Sequence, residues 1–447
     1  MKKLLFFPAI LITLFANSQI VNIPDSIFKA CLVSDPLINT NSDSEIQLSE
    51  ATAFTGTIRC NGTRFQPTTY AQSVTGLSAF TNITEIDINN HALNAVDLSQ
   101  NTSLENVYMT YCGINTINLN NLSRLKILQL SVNNITNIDY SSSDSIRELR
   151  LLANTLTDTV DVKDMIFLEE LYIGNSSVKF IKNQNTPLLR EIKVNQSNLD
   201  SIVIQNSPQL RELDVDDTDL THLDVSNHWW LGRLEASNCS LSTVTFGGNN
   251  RLSTIRLAFN NIQNLQLNTM GNANRLAELD LRDNNLVDLD LSSTNYARLL
   301  VRNNNLQSLN LKNGTNTLYS NFSSALDSRG NPNLSCIQVD DIAFSDSTWT
   351  SIDPTTTFDT NCNYITSLTE TQIEDRLSVY PNPSSGLFNL TVNEEIKSIE
   401  VFGFNGQKLE EVHVRENEID LANYPKGIYF LRVQTANKLI SKKLIKN

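Results

Sequence analysis

Twelve residues near the start of the chain carry oxygen at nearly every second side chain: Asn39, Asn41, Asp43, Glu45, Gln47 and Glu50, with Ile46 and Leu48 apolar. Hard divalent cations take such oxygens, and this spacing, with a hydrophobe at the eighth place, is that of a twelve-residue calcium loop. The loop departs from it twice, with Asn39 where an Asp is usual and Ser44 where the sharp turn takes Gly. With Asp43 and Glu50 as its clear carboxylates, the expected ion is a weakly held structural calcium; the alternative is the same loop without metal. A second acidic group, Asp214, Asp216, Asp217 and Asp219, also has metal-binding chemistry, although Asp219 should face away from the rest. His228-Trp229-Trp230 offers indoles that stack on sugar rings, but one ring is expected to pack beneath the chain. The four histidines, His91, His222, His228 and His413, are scattered, and no nucleophile elbow, HExxH or phosphate loop accompanies them. The expectation is a protein that is not an enzyme and needs no cofactor beyond that calcium.

The segments that must position these residues keep a regular beat. Stretches starting at Leu104, Leu125, Leu189, Leu210 and Leu276 superimpose on one frame, L-x-x-L-x-L-x-x-N-x-L, of about 21 residues. The frame resembles the leucine-rich repeat, which implies a solenoid of short parallel strands whose product is a surface. Positions 1, 4, 6 and 11 point inward, and the ninth residue (Asn133, Asn154, Asn260, Asn284, Asn304) turns the chain while bonding buried backbone of adjacent coils. Cys112 and Cys239 take that ninth place as buried thiols, and Ser176, Ser197 and Thr218 should weaken the ladder locally. Strand side chains alternate, so positions 3, 5 and 7 share the concave face and positions 2 and 8 flank it.

On that face the expected ligand-binding residues are Tyr108, Tyr111, Arg150, Tyr172, Lys193, Asp214, Glu235, Arg256 and Phe259. Glu148, Glu170, Glu191 and Glu212 stack in consecutive coils, where like charges repel, and Arg147, Arg190 and Arg211 at position 2 are expected to offset them. A charge-balanced ladder and a docking strip for a partner with basic and aromatic anchors both fit this pattern.

Residues 1–18 read as a secretory leader: Lys2 and Lys3, an apolar run to Phe15, then Ala16-Asn17-Ser18. The apolar run is too short for a membrane span, and no transmembrane segment is expected. Without Lys2 and Lys3 the chain carries 32 basic against 48 acidic residues, which argues against a nucleic-acid partner. Residues 19–82 read as an N-terminal cap, 83–334 as repeats, 335–362 as a C-terminal cap, 363–375 as a polar linker and 376–447 as a small β-sandwich. Cys31 with Cys60, and Cys336 with Cys362, read as cap disulfides of an oxidising compartment, each stabilising by about 3–4 kcal/mol through loop closure.

The tail carries Val379-Tyr380-Pro381-Asn382-Pro383, Gly386, Gly406, the Leu421 to Tyr429 stretch and the closing Lys442-Lys443-Leu444-Ile445-Lys446. These motifs resemble the C-terminal sorting domain of the type IX secretion system of Bacteroidota. The resemblance implies contact of residues 376–447 with that secretion machinery, removal of the tail, and release or anchoring at the outer cell surface. Caps and repeats together resemble secreted internalin-like proteins. The function this implies is an adhesin or interaction module that binds an extracellular protein; the alternative is a glycan-binding surface protein, marked by exposed aromatics gathered on one face.

Overall fold

A computed structural model of the chain describes residues 19–204, 207–267, 275–316, 320–362, 377–392, 396–403, 407–409, 413–415, 418–435 and 439–447. The expected leader and linker lie outside these residues. The chain divides into two compact units, residues 1–362 and 363–447.

In the first unit thirteen parallel strands form one sheet among the described residues, from Thr57–Arg59 to Leu326–Asp327. Consecutive strands pair in register, so Glu148, Glu170, Glu191 and Glu212 fall in one column and Arg150, Tyr172, Lys193 and Asp214 in the next. The sheet starts inside the expected cap, because Thr57–Arg59 already pairs with Glu85–Asp87. Leucines at the inward positions are sealed: Leu125, Leu128, Leu130 and Ile135 expose nothing. Each such side chain stabilises by about 1.5–3 kcal/mol relative to exposure, and every coil repeats the layer.

Two buried polar columns run through this apolar stack. Asn133 shows the first: its Nδ2 donates to Met109 O and Leu130 O at 2.8 Å, and its Oδ1 accepts from Cys112 N and Ile114 N at 3.0 Å. His91 holds the same place in the first coil, accepting from Ala71 N at Nδ1 (2.9 Å) and donating from Nε2 to Cys60 O (2.6 Å). Cys112 donates to Ile88 O at 3.0 Å, and burial pushes its thiol up to about 12. The second column, Thr186, Ser207, His228 and Asn249, with apolar Met165 at the same place in the coil before, holds the turn before each new strand. One residue before the first column, the chain enters the left-handed region in every coil from Asn90 to Asn303, with φ between +52° and +60°.

Both ends of the stack are covered. Helix α1, Ser26–Ser34, starts at Asp25, whose carboxylate accepts from Ile27 N and Phe28 N. Helix α2, Leu48–Ala53, follows the acidic loop. Cys31 and Cys60 are bonded, as are Cys336 and Cys362. At the far end Cys336–Gln338 and Thr357–Asp359 extend the back-face sheet. Helix α3, Ile342–Thr348, brings in Trp349, which is buried, donates to Ser320 O at 2.9 Å and meets Phe344 and Phe358 edge-on. On the back, Thr157–Asp161 pairs with Ser177–Lys182 across a register shift between Val178 and Phe180.

The second unit has a four-stranded and a three-stranded antiparallel sheet around Phe388, Leu390, Val401, Ile419, Leu431 and Leu444. The Pro-Asn-Pro motif acts here as a clamp, since Asn382 donates to Lys443 O (2.6 Å) and accepts from Ile445 N (2.8 Å). Gly386 has φ +147°, and a Cβ there would lie 2.9 Å from the Ala422 backbone. Gly406 of the tail motifs lies outside the described residues.

Candidate functional site

The parallel register turns single residues into files, and the concave files neutralise one another. Arg150 bridges Glu148 (3.1 Å) and Glu170 (2.6 Å); Lys193 bridges Glu191 (3.6 Å) and Glu212 (3.4 Å). Arg233 joins Glu212 and Glu235, and Arg256 joins Glu235 (2.5 Å) and Glu278 (2.8 Å). Tyr172 lies between Arg150 and Lys193, each 4.9 Å from its ring, and its hydroxyl donates to Glu191 at 2.5 Å. Burial first, and then that carboxylate, push its phenol up.

The expected partners of the glutamate file are corrected here. Arg147 and Arg190 reach Glu169, at 3.9 and 3.0 Å, rather than the glutamates of position 3. Positions 2 and 3 project to opposite sides of a strand, so position 2 pairs along its own file and position 3 with position 5.

The charge pairing breaks at Asp214 and Asp216. Asp214, Asp216 and Glu235 bring carboxylate oxygens within 4.8 Å of one another. Glu235 is tied to Arg233 and Arg256, but Asp214 and Asp216 form no ion pair among the described residues. Asp216 accepts from Ser237 N at 2.5 Å, and its own N–H donates to Asp214 Oδ1 at 3.2 Å. Burial, reinforced by the neighbouring carboxylates, raises Asp216 to about 6; burial also raises Asp214. Of the four expected aspartates only these two converge. Asp217 sits on the rim, bonded by Asn238, and Asp219 is exposed. Glu235 completes the notch from the next coil, which reading one repeat at a time could not reveal.

The twelve-residue loop is closed on itself. Glu50 accepts from Thr40 N (2.8 Å), Thr40 Oγ1 (2.9 Å), Asn41 N (3.2 Å) and Gln47 N (3.0 Å). Asp43 accepts from Glu45 N (2.7 Å) and from the Asn41 and Gln47 amides at 2.9 and 2.8 Å. Asn39 donates to Val33 O and Asp43 O, and Glu45 turns to Lys29 at 2.5 Å. A calcium ion would have to displace the two amides from Asp43.

Among the aromatics, Tyr108 and Tyr172 are half-buried, whereas Tyr111 and Phe259 stand on the rim, 38% and 52% exposed. Their left-handed backbone turns them outward. Tyr111 is held by Arg64, whose guanidinium lies 4.3 Å from the ring centroid and 4.8 Å from that of Phe65. Phe65 is 82% exposed; it lies in the cap, where no repeat pattern marks it. The expectation for the tryptophan pair is overturned: neither ring packs beneath the coil, for Trp229 is 65% and Trp230 44% exposed. Buried His228 occupies the interior place instead.

Residues 378–447 match the family described as the secretion system C-terminal sorting domain. No curated protein matches the chain in sequence. Among solved structures, the chain is similar to the functional domain of InlJ from Listeria monocytogenes, at 15% identity and TM-score 0.50, covering 96% of this chain and 98% of that one. It also matches an internalin, InlF, from Listeria monocytogenes strain 4b F2365, at 16% identity and TM-score 0.44, covering 76% and 98%. YopM from Yersinia pestis aligns at 18% identity and TM-score 0.43, covering 58% and 78%. The InlJ likeness is one of fold. Solenoid and tail together define a secreted leucine-rich-repeat protein of internalin-like architecture with a type IX sorting tail. That tail addresses it to the outer surface. No helix of the described residues is long and apolar enough to cross a membrane.

Proposed function

We propose that this is a surface recognition protein that binds an extracellular protein through the concave sheet, seating a basic side chain of the partner in the notch of Asp214, Asp216 and Glu235. The observation that carries the reading is a local break in the paired array: two carboxylates crowded together, half-buried and in no ion pair among the described residues. Arg150, Tyr172, Lys193 and Arg256 flank the notch as a rigid frame, while Tyr108 and the rim residues Tyr111 and Phe259 widen the contact. A frame set before the partner arrives lowers the ordering cost of association. A lysine or arginine entering the notch gains charge-assisted bonds that solvent supplies only in part.

The test is capture of surface proteins from neighbouring cells by the full chain, compared with an Asp214→Asn/Asp216→Asn variant. A partner retained by the native chain and lost by the variant, with rescue when its own basic anchor is neutralised in step, supports the reading. Equal retention by both would place the contact elsewhere.

A further inference from the structure

Neither indole of the Trp229-Trp230 pair is buried, although each could bury a large apolar area. Five consecutive coils repeat the same turn, in which Leu168, Leu189, Leu210, Leu231 and Leu252 each donate back to the residue three before. The residues on its outside form one edge of the solenoid, with Phe167 (43% exposed), Leu188, Gln209, Trp230 and Arg251 in successive coils. Coil spacing of about 4.8 Å sets Phe167 and Trp230 roughly 14 Å apart.

The tryptophan turn is held from both neighbours. His228 bonds Ile204 O at 2.9 Å in the coil before, and Asn249 of the coil after donates to His228 O at 3.0 Å. Arg251 stacks on Trp230 with its guanidinium 3.8 Å from the ring centroid. A Cβ built on Gly248 would lie 3.5 Å from the Trp229 ring, ordinary contact distance, so the indole lies close against the next turn. The rings are therefore fixed and supported, and their free faces meet solvent.

We infer that this edge is a carbohydrate platform for a neutral, linear polysaccharide of hexoses whose C–H faces stack on Trp229, Trp230 and Phe167. What surrounds the indoles decides between occupants. Around the indoles the rim is Asn227, Asn250 and Arg251, all exposed. Amides and a guanidinium are the donors and acceptors that sugar hydroxyls pair with. The chain's net charge of −14 disfavours a polyanion. The platform is independent of the concave notch.

Affinity electrophoresis of the full-length chain in gels containing a soluble β-linked glucan, a mannan or a galactan tests it. Retardation by at least one polymer is expected, with at least a tenfold weakening in Trp229→Ala/Trp230→Ala and about threefold in Phe167→Ala. Both rings are exposed, so an unchanged melting temperature verifies folding, and the single variant Trp229→Ala serves if the double one is destabilised. No retardation by any of the three polymers, or retardation that survives loss of both indoles, overturns the inference.

Discussion

The interior ladder is built differently in the middle of the solenoid and toward its ends. Asn133 and Asn154 on one side, and Asn260, Asn284 and Asn304 on the other, each donate both within their own coil and to a carbonyl of the coil before. Between them Ser176, Ser197 and Thr218 donate to a single carbonyl three residues back, at 2.7, 2.7 and 2.8 Å. Their side chains close a turn without stitching one coil to the carbonyls of the last. The same middle coils carry the acidic notch and the exposed tryptophans. The face shaped for contact thus rests partly on coils whose ladder side chains at Ser176, Ser197 and Thr218 reach no carbonyl of the coil before, which should make local opening easier there.

Deleting one rung from each region gives the largest contrast. Asn133→Ala takes the Asn133 partner from the Met109 carbonyl and from the Cys112 and Ile114 amides, while Leu130 O keeps its bond from Asn154, and should cost about 3–5 kcal/mol. Ser197→Ala removes one bond and should cost about 1 kcal/mol. Chemical denaturation of the two variants measures the difference, and hydrogen exchange should find the amides around Ser176 to Thr218 opening before those beside Asn133. Equal losses would erase the distinction between the regions.

The notch supplies the next contrast, because there a charged group opposes folding. Asp216 stands at about 6 in the folded chain against an ordinary 3.8, so the folded state holds its proton more tightly than the unfolded one. Its cost is fully present above pH 6, falls as pH drops through 6, and is gone below about 3.8. Asp216→Asn keeps an acceptor for Ser237 N–H and should stabilise by about 1–2 kcal/mol at pH 7.5, after discounting for solvent, and by nothing near pH 3.5. Melting temperatures at the two pH values check this. A gain that persists at the lower pH would mean that the charge is not its source. Protonation should also empty the notch of its attraction for a cation, so capture of a basic partner should weaken below pH 6.

Most of the scaffold was legible in the residues themselves. The leucine beat implied the parallel sheet, the Asn column and the thiol substitutes, and the tail motifs implied the second unit. Relations between coils were harder to read. Which acid meets which base depends on register between residues about 21 apart, so the partners of the glutamate file and the third member of the notch emerged only in three dimensions. The tryptophans misled for a related reason: apolarity implied burial, while the interior place of that turn was already filled by His228. Phe65, the most exposed large apolar side chain described, lies outside the repeats and had no frame to place it.

The left-handed column offers a smaller effect that separates backbone strain from side-chain stitching. Val132 has φ +57° in a column where Asn90, Asn175, Asn238 and Asn303 share that conformation. A β-branched residue there is strained by about 1–2 kcal/mol, which Asn largely avoids. Val132→Asn should therefore raise stability by about 1 kcal/mol, and Asn175→Val should lower it by as much. Since one site lies beside an Asn rung and the other beside a Ser rung, matching magnitudes in denaturation would show the column to be indifferent to the ladder behind it.

The smallest effect belongs to the concave charges. Lys193 bridges two glutamates at 3.6 and 3.4 Å and faces the Tyr172 ring, yet its side chain keeps 29% of its exposure. Half-exposed pairs of this kind contribute about 0.2–1 kcal/mol, because water and salt compete for the same charges. Lys193→Gln should lower stability within that range, and 0.5 M NaCl should shrink the difference further. The interior column holds the solenoid together and the face does not, so the binding residues can be exchanged with little risk to folding. A loss of several kcal/mol in Lys193→Gln would instead make the paired face part of the scaffold, and partner binding could then not be probed there without unfolding the chain.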